Sequence, residues 1–294
     1  MTSSADMTVT RDGSALAAAP EEESVRADDI IEHSRNELNA WEKASFDAVH
    51  TILSVMVKLV GPAWVYRFGR WFGLLEWLIN HKRRRRFAAA LGEVMGEAPP
   101  RQWLGRACLE FVQTSRCNKL FYLIFDSIRR EQAQALIRVD RWELVDAALS
   151  AGRGVYVAMS HLGPYQIGGM FMSLLGYKMA AVRDRNEGAL SRYVQRRFDR
   201  KYPEFARMKV FFSDAYPRVI YRCLQEGYVL GSAMDVTRLR HENLRTETVQ
   251  VFGRPREFLT GPLHIAIRCG VPALQAFVLP EAGFRYRIVF YGPL

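Results

Sequence analysis

The chain lacks the features that mark several common classes of protein. Its four cysteines are far apart and form no C-x-x-C pair, which excludes a zinc-type spacing and a disulfide framework: Cys108, Cys117, Cys223 and Cys269. This cysteine usage indicates a reducing compartment. The sequence also contains no glycine-rich phosphate loop and no nucleophile elbow.

Long hydrophobic runs are absent as well. The N-terminal segment is small and polar, without the apolar core of a signal peptide, and residues 1–25 are predicted to be a disordered tail. The best candidate for a membrane span, residues 46–66, is interrupted by Asp47, His50 and Lys58, whereas about 18 consecutive apolar residues would be needed. Any membrane contact is therefore predicted to be attachment at the surface.

Charge is distributed unevenly along the chain. Residues 1–48 carry four Lys and Arg against eleven Asp and Glu, a net charge of −7, and the whole chain carries +10, which leaves about +17 for the remainder. A cationic body of this size attracts phospholipid headgroups, acidic carrier proteins, phosphorylated cofactors or nucleic acid. Nucleic acid is the least favoured partner, because the aromatic residues cluster in one helical region and do not alternate with cations along a sheet.

Residues 26–100 are predicted to form a helical, membrane-associating region. Apolar residues form an almost continuous face over residues 50–80, and this face leads into a run of cations. Tryptophan favours the headgroup level of a membrane, and each cation near an anionic surface contributes about 1 kcal/mol. The alternative is a core helix followed by a solvated run of charge. The side chains predicted to contact the membrane are Trp64, Trp71, Trp77, Arg83, Arg84, Arg85 and Arg86.

Residues 101–294 are predicted to form an α/β domain. Helical patterns occupy residues 101–150, and buried-strand patterns alternate with helices after Gly152. The predicted strands are 154–159, 179–183, 208–212, 228–234, 248–252, 273–279 and 285–290, and the predicted helices between them are 164–175, 187–201, 216–225 and 261–269. This alternation predicts a mixed central sheet flanked by helices, against which the N-terminal helices pack.

The first of these strands ends in a segment that can carry chemistry. His161 follows the strand directly, and catalytic groups of open α/β sheets gather at such strand ends. Pro164 suits the first helical position, which makes Gly163 the cap and Gln166 the third helical residue. A turn can then bring Gln166 back to a neutral imidazole that takes a proton from an attacking hydroxyl. The alternative is a structural histidine beside a capping-box glutamine.

Further motifs follow one another in a fixed order between residues 46 and 294. Besides the turn at His161, they occupy residues 66–86, 182–186, 231–235, 251–253, 258–263, 270–273 and 286–294. Together they resemble the lipid A late acyltransferase family, the lauroyl and myristoyl transferases of lipopolysaccharide assembly. This family lies within the glycerolipid acyltransferases that carry an H-x4-D/E motif.

The resemblance implies transfer of a fatty acyl group from an acyl carrier protein or acyl-CoA to a hydroxyl of a lipid or glycolipid, at the cytoplasmic face of a bacterial inner membrane. It implies neither a metal nor a resident cofactor. His161 is expected to be the general base. Substrate contacts are expected at Arg183, Asn186, Asp235, Thr260, Gly261 and Pro262.

Five of these six expected contacts have a simpler alternative. Arg183 can clamp a phosphate of the acceptor or of the donor's phosphopantetheine arm, or it can form a surface salt bridge with Asp184 or Glu187. Asp235 at a strand end can be a cap, and residues 260–262 can be a turn that starts a helix.

Gln166 departs from the family motif, which ends in Asp or Glu. An amide can orient the imidazole but cannot stabilise the imidazolium, and in His-based triads this replacement costs about 10⁴-fold in turnover. Three interpretations remain: weaker or re-routed catalysis, a catalytically impaired homologue that binds lipid or acyl carrier protein, and a deliberately disabled variant. Asp184 or Asp235 can supply the missing charge.

Overall fold

A computed structural model of the chain describes residues 38–95, 100–183, 188–212, 217–235 and 245–294. The predicted tail at residues 1–25 and the predicted substrate contact Asn186 lie outside the described residues, as does Asp184. The N-terminal part of the described chain is helical, with α1 (Ala40–Val60), α2 (Pro62–Ile79), α3 (His81–Met95) and α4 (Arg101–Ile124).

The predicted apolar face over residues 50–80 belongs to two helices. Helix α1 starts with a capping box, in which the Asn39 side chain accepts from the Glu42 backbone N–H at 2.7 Å and the Glu42 carboxylate accepts from the Asn39 N–H at 3.2 Å. It ends at Gly61, whose φ of +83° leaves the helical region, and Pro62 then opens α2. The predicted apolar face is therefore divided at Gly61 between α1 and α2.

Two glycines let α2 pack closely against α4. A Cβ on Gly73 would lie 2.6 Å from Gln113 Cα, and one on Gly69 would lie 3.0 Å from Cys117 Sγ. The Gln113 side chain donates to the Arg70 carbonyl at 2.9 Å across the same contact. Four large rings of α2 lie outside this close contact and are 38% to 55% exposed: Trp64, Phe68, Trp71 and Phe72. None of the described helices combines the length and the hydropathy that a membrane span needs.

The rest of the described chain alternates between helices and strands. Its helices are α5 (Arg130–Ala135), α6 (Glu143–Leu149), α7 (Tyr165–Leu174), α8 (Ala189–Lys201), α9 (Pro217–Gln225) and α10 (Gly261–Cys269). Its strands are β1 (Ile137–Asp140), β2 (Val155–Met159), β3 (Met179–Arg183), β4 (Lys209–Phe212), β5 (Val229–Ala233), β6 (Thr246–Val251), β7 (Arg254–Leu259), β8 (Ala273–Pro280) and β9 (Tyr286–Tyr291).

Seven of the nine described strands form a mixed sheet in the order β1-β9-β8-β2-β5-β3-β4. Every neighbouring pair is parallel except β8 and β9, which are antiparallel. Strands β6 and β7 form a separate hairpin whose two-residue turn, Phe252-Gly253, has positive φ at both positions. The predicted α/β class with a mixed sheet is confirmed. The predictions missed β1, which they assigned to helix, and β7.

Helices cover both faces of the sheet. The larger core joins one face to the N-terminal helices and to α8, through Val157, Val65, Phe121 and Phe198. The smaller core joins the other face to α9 and α10, through Tyr156, Leu224 and Ala266. Because β2 is covered on both sides, its residues 155–158 are all buried. The two covered faces leave the carboxyl edge of the sheet as the place where strand-end residues reach solvent.

Candidate active site

His161 and Asp235 meet at the carboxyl edge of the sheet. Strands β2 and β5 are parallel neighbours, and their last paired residues are Met159 and Ala233. His161 and Asp235 each follow two residues later, so the register of the strands places them side by side. His161 Nδ1 lies 2.8 Å from Asp235 Oδ1, although the two residues are 74 positions apart in the chain.

The contacts of Asp235 determine which nitrogen of His161 carries the hydrogen. A carboxylate only accepts hydrogen bonds, so the Nδ1 atom that lies against it must be the donor. The backbone N–H of His161 also donates to both carboxylate oxygens, at 2.9 and 2.8 Å. Nε2 of the neutral ring therefore keeps its lone pair and can act as a base.

The two groups shift each other's titration. The hydrogen bond to Asp235 raises the pKa of His161 above its usual value and outweighs burial, which lowers it. Burial raises the pKa of Asp235, but the hydrogen bonds from the side chain and the backbone of His161 outweigh burial, so this pKa lies below its usual value. The His161 side chain is 46% exposed, so a substrate can approach it.

The turn after His161 requires a glycine. Gly163 has a φ of +68°, and a Cβ there would lie 2.1 Å from the carbonyl oxygen of Val278 and 3.5 Å from the ring of Pro280. Helix α7 starts at Tyr165 with Pro164 as its N-cap. The predicted cap at Gly163 is thus one residue early, and Gln166 is the second helical residue instead of the third.

Gln166 does not contact the imidazole as predicted. The structure places no hydrogen bond between Gln166 and His161, both of which are described, and the ring that meets the imidazole is that of Tyr165, edge to face at 4.8 Å between centroids. The chain enters α7 directly after Pro164, and Asp235 already occupies Nδ1. Asp235 therefore occupies the position at the imidazole that was predicted for Gln166.

The turn at residues 260–262 supports the same edge. The Leu259 N–H donates to the Met234 carbonyl at 2.9 Å, which brings the end of β7 next to Asp235. Thr260 is buried, and both its N–H and its hydroxyl donate to the Arg245 carbonyl, at 3.0 and 3.4 Å. Gly261 and Pro262 then open α10. These residues hold the backbone beside the site and start a helix.

Arg183 brings a positive charge to the same edge. It is the last residue of β3, which pairs with β5 on the side away from β2. The pairing of Ala181 with Gly231 places Arg183 level with Ala233, two residues before Asp235. Its guanidinium donates to the side-chain oxygen of Gln195 on α8. His161, Asp235 and Arg183 therefore lie at the ends of three adjacent strands along one edge of the sheet, and His161 and Asp235 are in direct contact.

The side chains predicted to contact a membrane form two groups. Trp64 and Trp71 are exposed on α2, and Arg85 and Arg86 are exposed on α3. The remaining three are partly buried and connect α3 to α2. These three are Trp77, Arg83 and Arg84. The Arg84 guanidinium lies over the Trp77 ring at 5.0 Å, and Arg83 forms a 2.5 Å salt bridge with Glu76.

A cavity of about 390 Å³ lies close to the His161 turn, between α2, α4 and the segment after β8. It is lined by Tyr66, Cys117, Phe284 and Tyr286 together with polar groups that include the Arg70–Glu110 salt bridge. Pro280 connects the two places, because it lines the cavity and would also meet a Cβ on Gly163.

Comparison with known proteins adds no family assignment. The chain matches no protein-family model and no curated protein. In the ranges that the structure describes, no three His, Cys, Asp or Glu side chains come together in a way that could hold a metal ion. The arrangement at His161 is therefore interpreted from its own geometry.

Proposed function

We propose that the protein is a membrane-surface O-acyltransferase. It moves a fatty acyl group from acyl carrier protein or acyl-CoA to a hydroxyl of a lipid or glycolipid. The observation that carries this proposal is the 2.8 Å hydrogen bond between His161 Nδ1 and Asp235, with the ring half-exposed and Nε2 available. The sequence resemblance supplies the class of substrate, and the cationic body of the chain suits an acidic carrier protein.

The chemistry needs one base and one stabilised cation. Nε2 of His161 accepts the proton of the acceptor hydroxyl while the hydroxyl oxygen attacks the carbonyl carbon of the thioester. The C–S bond then breaks, and the departing sulfur takes the proton from the imidazolium. The Asp235 carboxylate stabilises the imidazolium in between. The start of α7, four residues after His161, contributes partial positive charge near the developing oxyanion.

Arg183 is proposed to bind phosphate during this reaction. A guanidinium can clamp a phosphate with two parallel hydrogen bonds. Its position on the strand next to β5 suits the phosphate of an acceptor headgroup or of the donor's phosphopantetheine arm, and Gln195 helps to orient it. A cation at this edge also attracts anionic substrates to the base.

Attachment to the cytoplasmic face of a bacterial inner membrane is proposed through the exposed side of α1 and α2. This side exposes large apolar side chains to solvent, and the cations of α3 follow it in the chain. Aromatic rings beside cations are typical of proteins that lie at the level of the headgroups. The exposed apolar residues are Ile52, Val55, Leu59, Trp64, Phe68, Trp71 and Phe72.

A second candidate function is binding of lipid or acyl carrier protein without turnover. That interpretation depends on Gln166, an amide where the resembling family has a carboxylate. Asp235 supplies a carboxylate to the same imidazole, and this observation favours turnover.

The test is an acyl-transfer assay with purified full-length protein, bacterial inner-membrane lipid, and a radiolabelled fatty acyl group carried as a thioester by either acyl carrier protein or coenzyme A. His161→Ala should abolish transfer, because no other base replaces Nε2. His264→Ala is the matched control, since this half-buried ring lies on α10 near Glu247. Full transfer by His161→Ala would refute the proposal.

A further inference from the structure

Three cations surround one carboxylate where α2, α3 and α4 meet. The Glu76 carboxylate accepts from Arg83 at 2.5 Å and from Nε of Arg116. The hydrogen bond from Arg116, together with that from Arg83, lowers the pKa of Glu76 to about 2. Lys119 follows one turn after Arg116 on α4. The four side chains therefore carry a net charge of +2 at neutral pH.

The hydrogen-bonding capacity of this group is only partly used. Arg83 also donates to the Ser115 hydroxyl at 3.2 Å, so both of its terminal nitrogens have acceptors. No described residue accepts a hydrogen bond from the terminal nitrogens of Arg116 or from the Lys119 ammonium. Lys119 is exposed, but partial desolvation, followed by the positive charge of Arg116 and Arg83, holds its pKa below the usual value. An anion placed here would gain donors and relieve the repulsion between cations.

Exposed aromatic rings lie directly beside these cations. The Arg116 guanidinium lies over the Phe72 ring at 5.4 Å, and the Arg83 guanidinium lies over the Phe111 ring at 5.6 Å. Phe72 and Phe111 are 42% and 47% exposed. A small hydrophilic anion would leave these rings in water. A ligand with a phosphate and a hydrocarbon chain would use both surfaces.

We infer that Arg83, Arg116 and Lys119 form a binding site for the phosphate of an anionic membrane phospholipid, whose acyl chains cover Phe72 and Phe111. The site differs from Arg85 and Arg86 because Glu76 holds Arg83 and Arg116 together where three helices meet. Lys119 is exposed at its edge. The inference rests on the membrane attachment of the proposed function but not on acyl transfer.

Lys119→Gln is the most informative variant, since Lys119 has no described partner and its loss leaves the Glu76 contacts in place. Lys201→Gln is the matched control, because it removes one charge from an exposed lysine at the end of α8. Both full-length proteins are titrated with vesicles of phosphatidylcholine alone and of phosphatidylcholine mixed equally with phosphatidylglycerol. Glycerol 3-phosphate is added as a soluble competitor.

The inference predicts that Lys119→Gln weakens binding to the mixed vesicles about tenfold, as expected for one lost charge-assisted contact, and that Lys201→Gln stays within about twofold. Glycerol 3-phosphate should compete only weakly. Equal affinities of the two variants for mixed vesicles would overturn the site while leaving membrane attachment intact. Strong competition by glycerol 3-phosphate would show that the site binds free phosphate esters and would overturn the phospholipid assignment. Failure of the unmodified protein to bind mixed vesicles would overturn the attachment as well.

The same cations could instead bind an acidic protein, and the variants distinguish this from binding of a phospholipid. If Lys119→Gln binds mixed vesicles normally but has lost affinity for acyl carrier protein, the lipid assignment is wrong. Arg116→Gln provides a second variant, and its thermal unfolding is measured first because Arg116 also neutralises Glu76. The transfer assay with His161→Ala reports on chemistry separately, so loss of the lipid site and loss of the proposed reaction remain distinguishable.

Discussion

His161 and Asp235 lie two residues beyond the last paired positions of β2 and β5, and a 2.8 Å hydrogen bond joins their side chains. The parallel register of the two strands produces this contact, since both chains leave the sheet at the same edge. The carboxylate also accepts from the His161 backbone, which ties the turn to its neighbour. The sheet therefore orients the imidazole before any substrate binds.

Removing the charge of Asp235 should have a large effect on turnover. Asp235→Asn is expected to lower acyl transfer about 10⁴-fold, by analogy with His-based triads, because an amide cannot stabilise the imidazolium. Asp140→Asn, a matched change on the edge strand β1, should leave transfer unchanged. Initial rates of the two purified variants test this. Similar rates for both would contradict the role of Asp235.

Gln166 is expected to contribute little to the reaction. Gln166→Ala should keep transfer within about tenfold of the unmodified protein, because Asp235 already orients the imidazole through Nδ1. Gln166→Glu should likewise leave the rate close to its original value. The same rate assay checks both variants. A loss with Gln166→Ala as large as that with Asp235→Asn would show that Gln166 is the essential partner.

The rate of transfer should depend on pH through His161. Only the neutral imidazole accepts a proton, so activity should rise with pH through the raised pKa of His161. In Asp235→Asn the hydrogen bond to a carboxylate is lost, and the inflection should move to lower pH. An NMR titration of the His161 ring in both proteins measures the shift directly. An unchanged ring pKa would show that the pair is not coupled.

The same pair links folding stability to pH. Because the pKa of His161 is raised in the folded protein, its stabilisation is fully present below the unfolded-state pKa and is lost as pH rises through the folded-state value. The lowered pKa of Asp235 has the opposite sense, so its stabilisation is lost as pH falls through the folded-state value.

Gly163 should tolerate no side chain. Gly163→Ala is expected to destabilise the fold by more than about 1 kcal/mol, because its positive φ disfavours alanine and the new Cβ would meet the Val278 carbonyl. It should also reduce transfer by displacing His161. Gly169→Ala on α7 is the control, since a Cβ there meets nothing within 4 Å. Denaturant unfolding of the two variants tests this, and equal stabilities would contradict it.

The main features of the sheet could be predicted because buried strands have short apolar runs between helices. Strand β2 shows this pattern, and its place before His161 follows from it. Strand β1 was missed because it has only four residues, although its alternation of apolar and charged residues is a strand signal. Strand β7 was missed because it contains Pro255 and several charges. The signal for the hairpin was Phe252-Gly253, a two-residue turn between two runs of similar length.

The partner of His161 could not be assigned from local spacing. Strand β2 pairs with β5 although β3 comes first in the chain, and sequence order does not reveal such a crossover. Gln166 was favoured because it is near in sequence, yet Asp235 is near in space. In the same way, a run of consecutive arginines in the sequence does not show which of the side chains pack against neighbouring helices. Arg83 contacts Glu76 on α2, whereas Arg85 remains in solvent.

Mass spectrometry of membrane lipids tests the central claim most directly. Lipids are compared from cells that express, at matched levels, the unmodified protein, His161→Ala or His264→Ala. The account predicts a lipid that gains one acyl chain with the unmodified protein and with His264→Ala, and that is absent with His161→Ala. The same acylated lipid at equal abundance in the His161→Ala cells would contradict it.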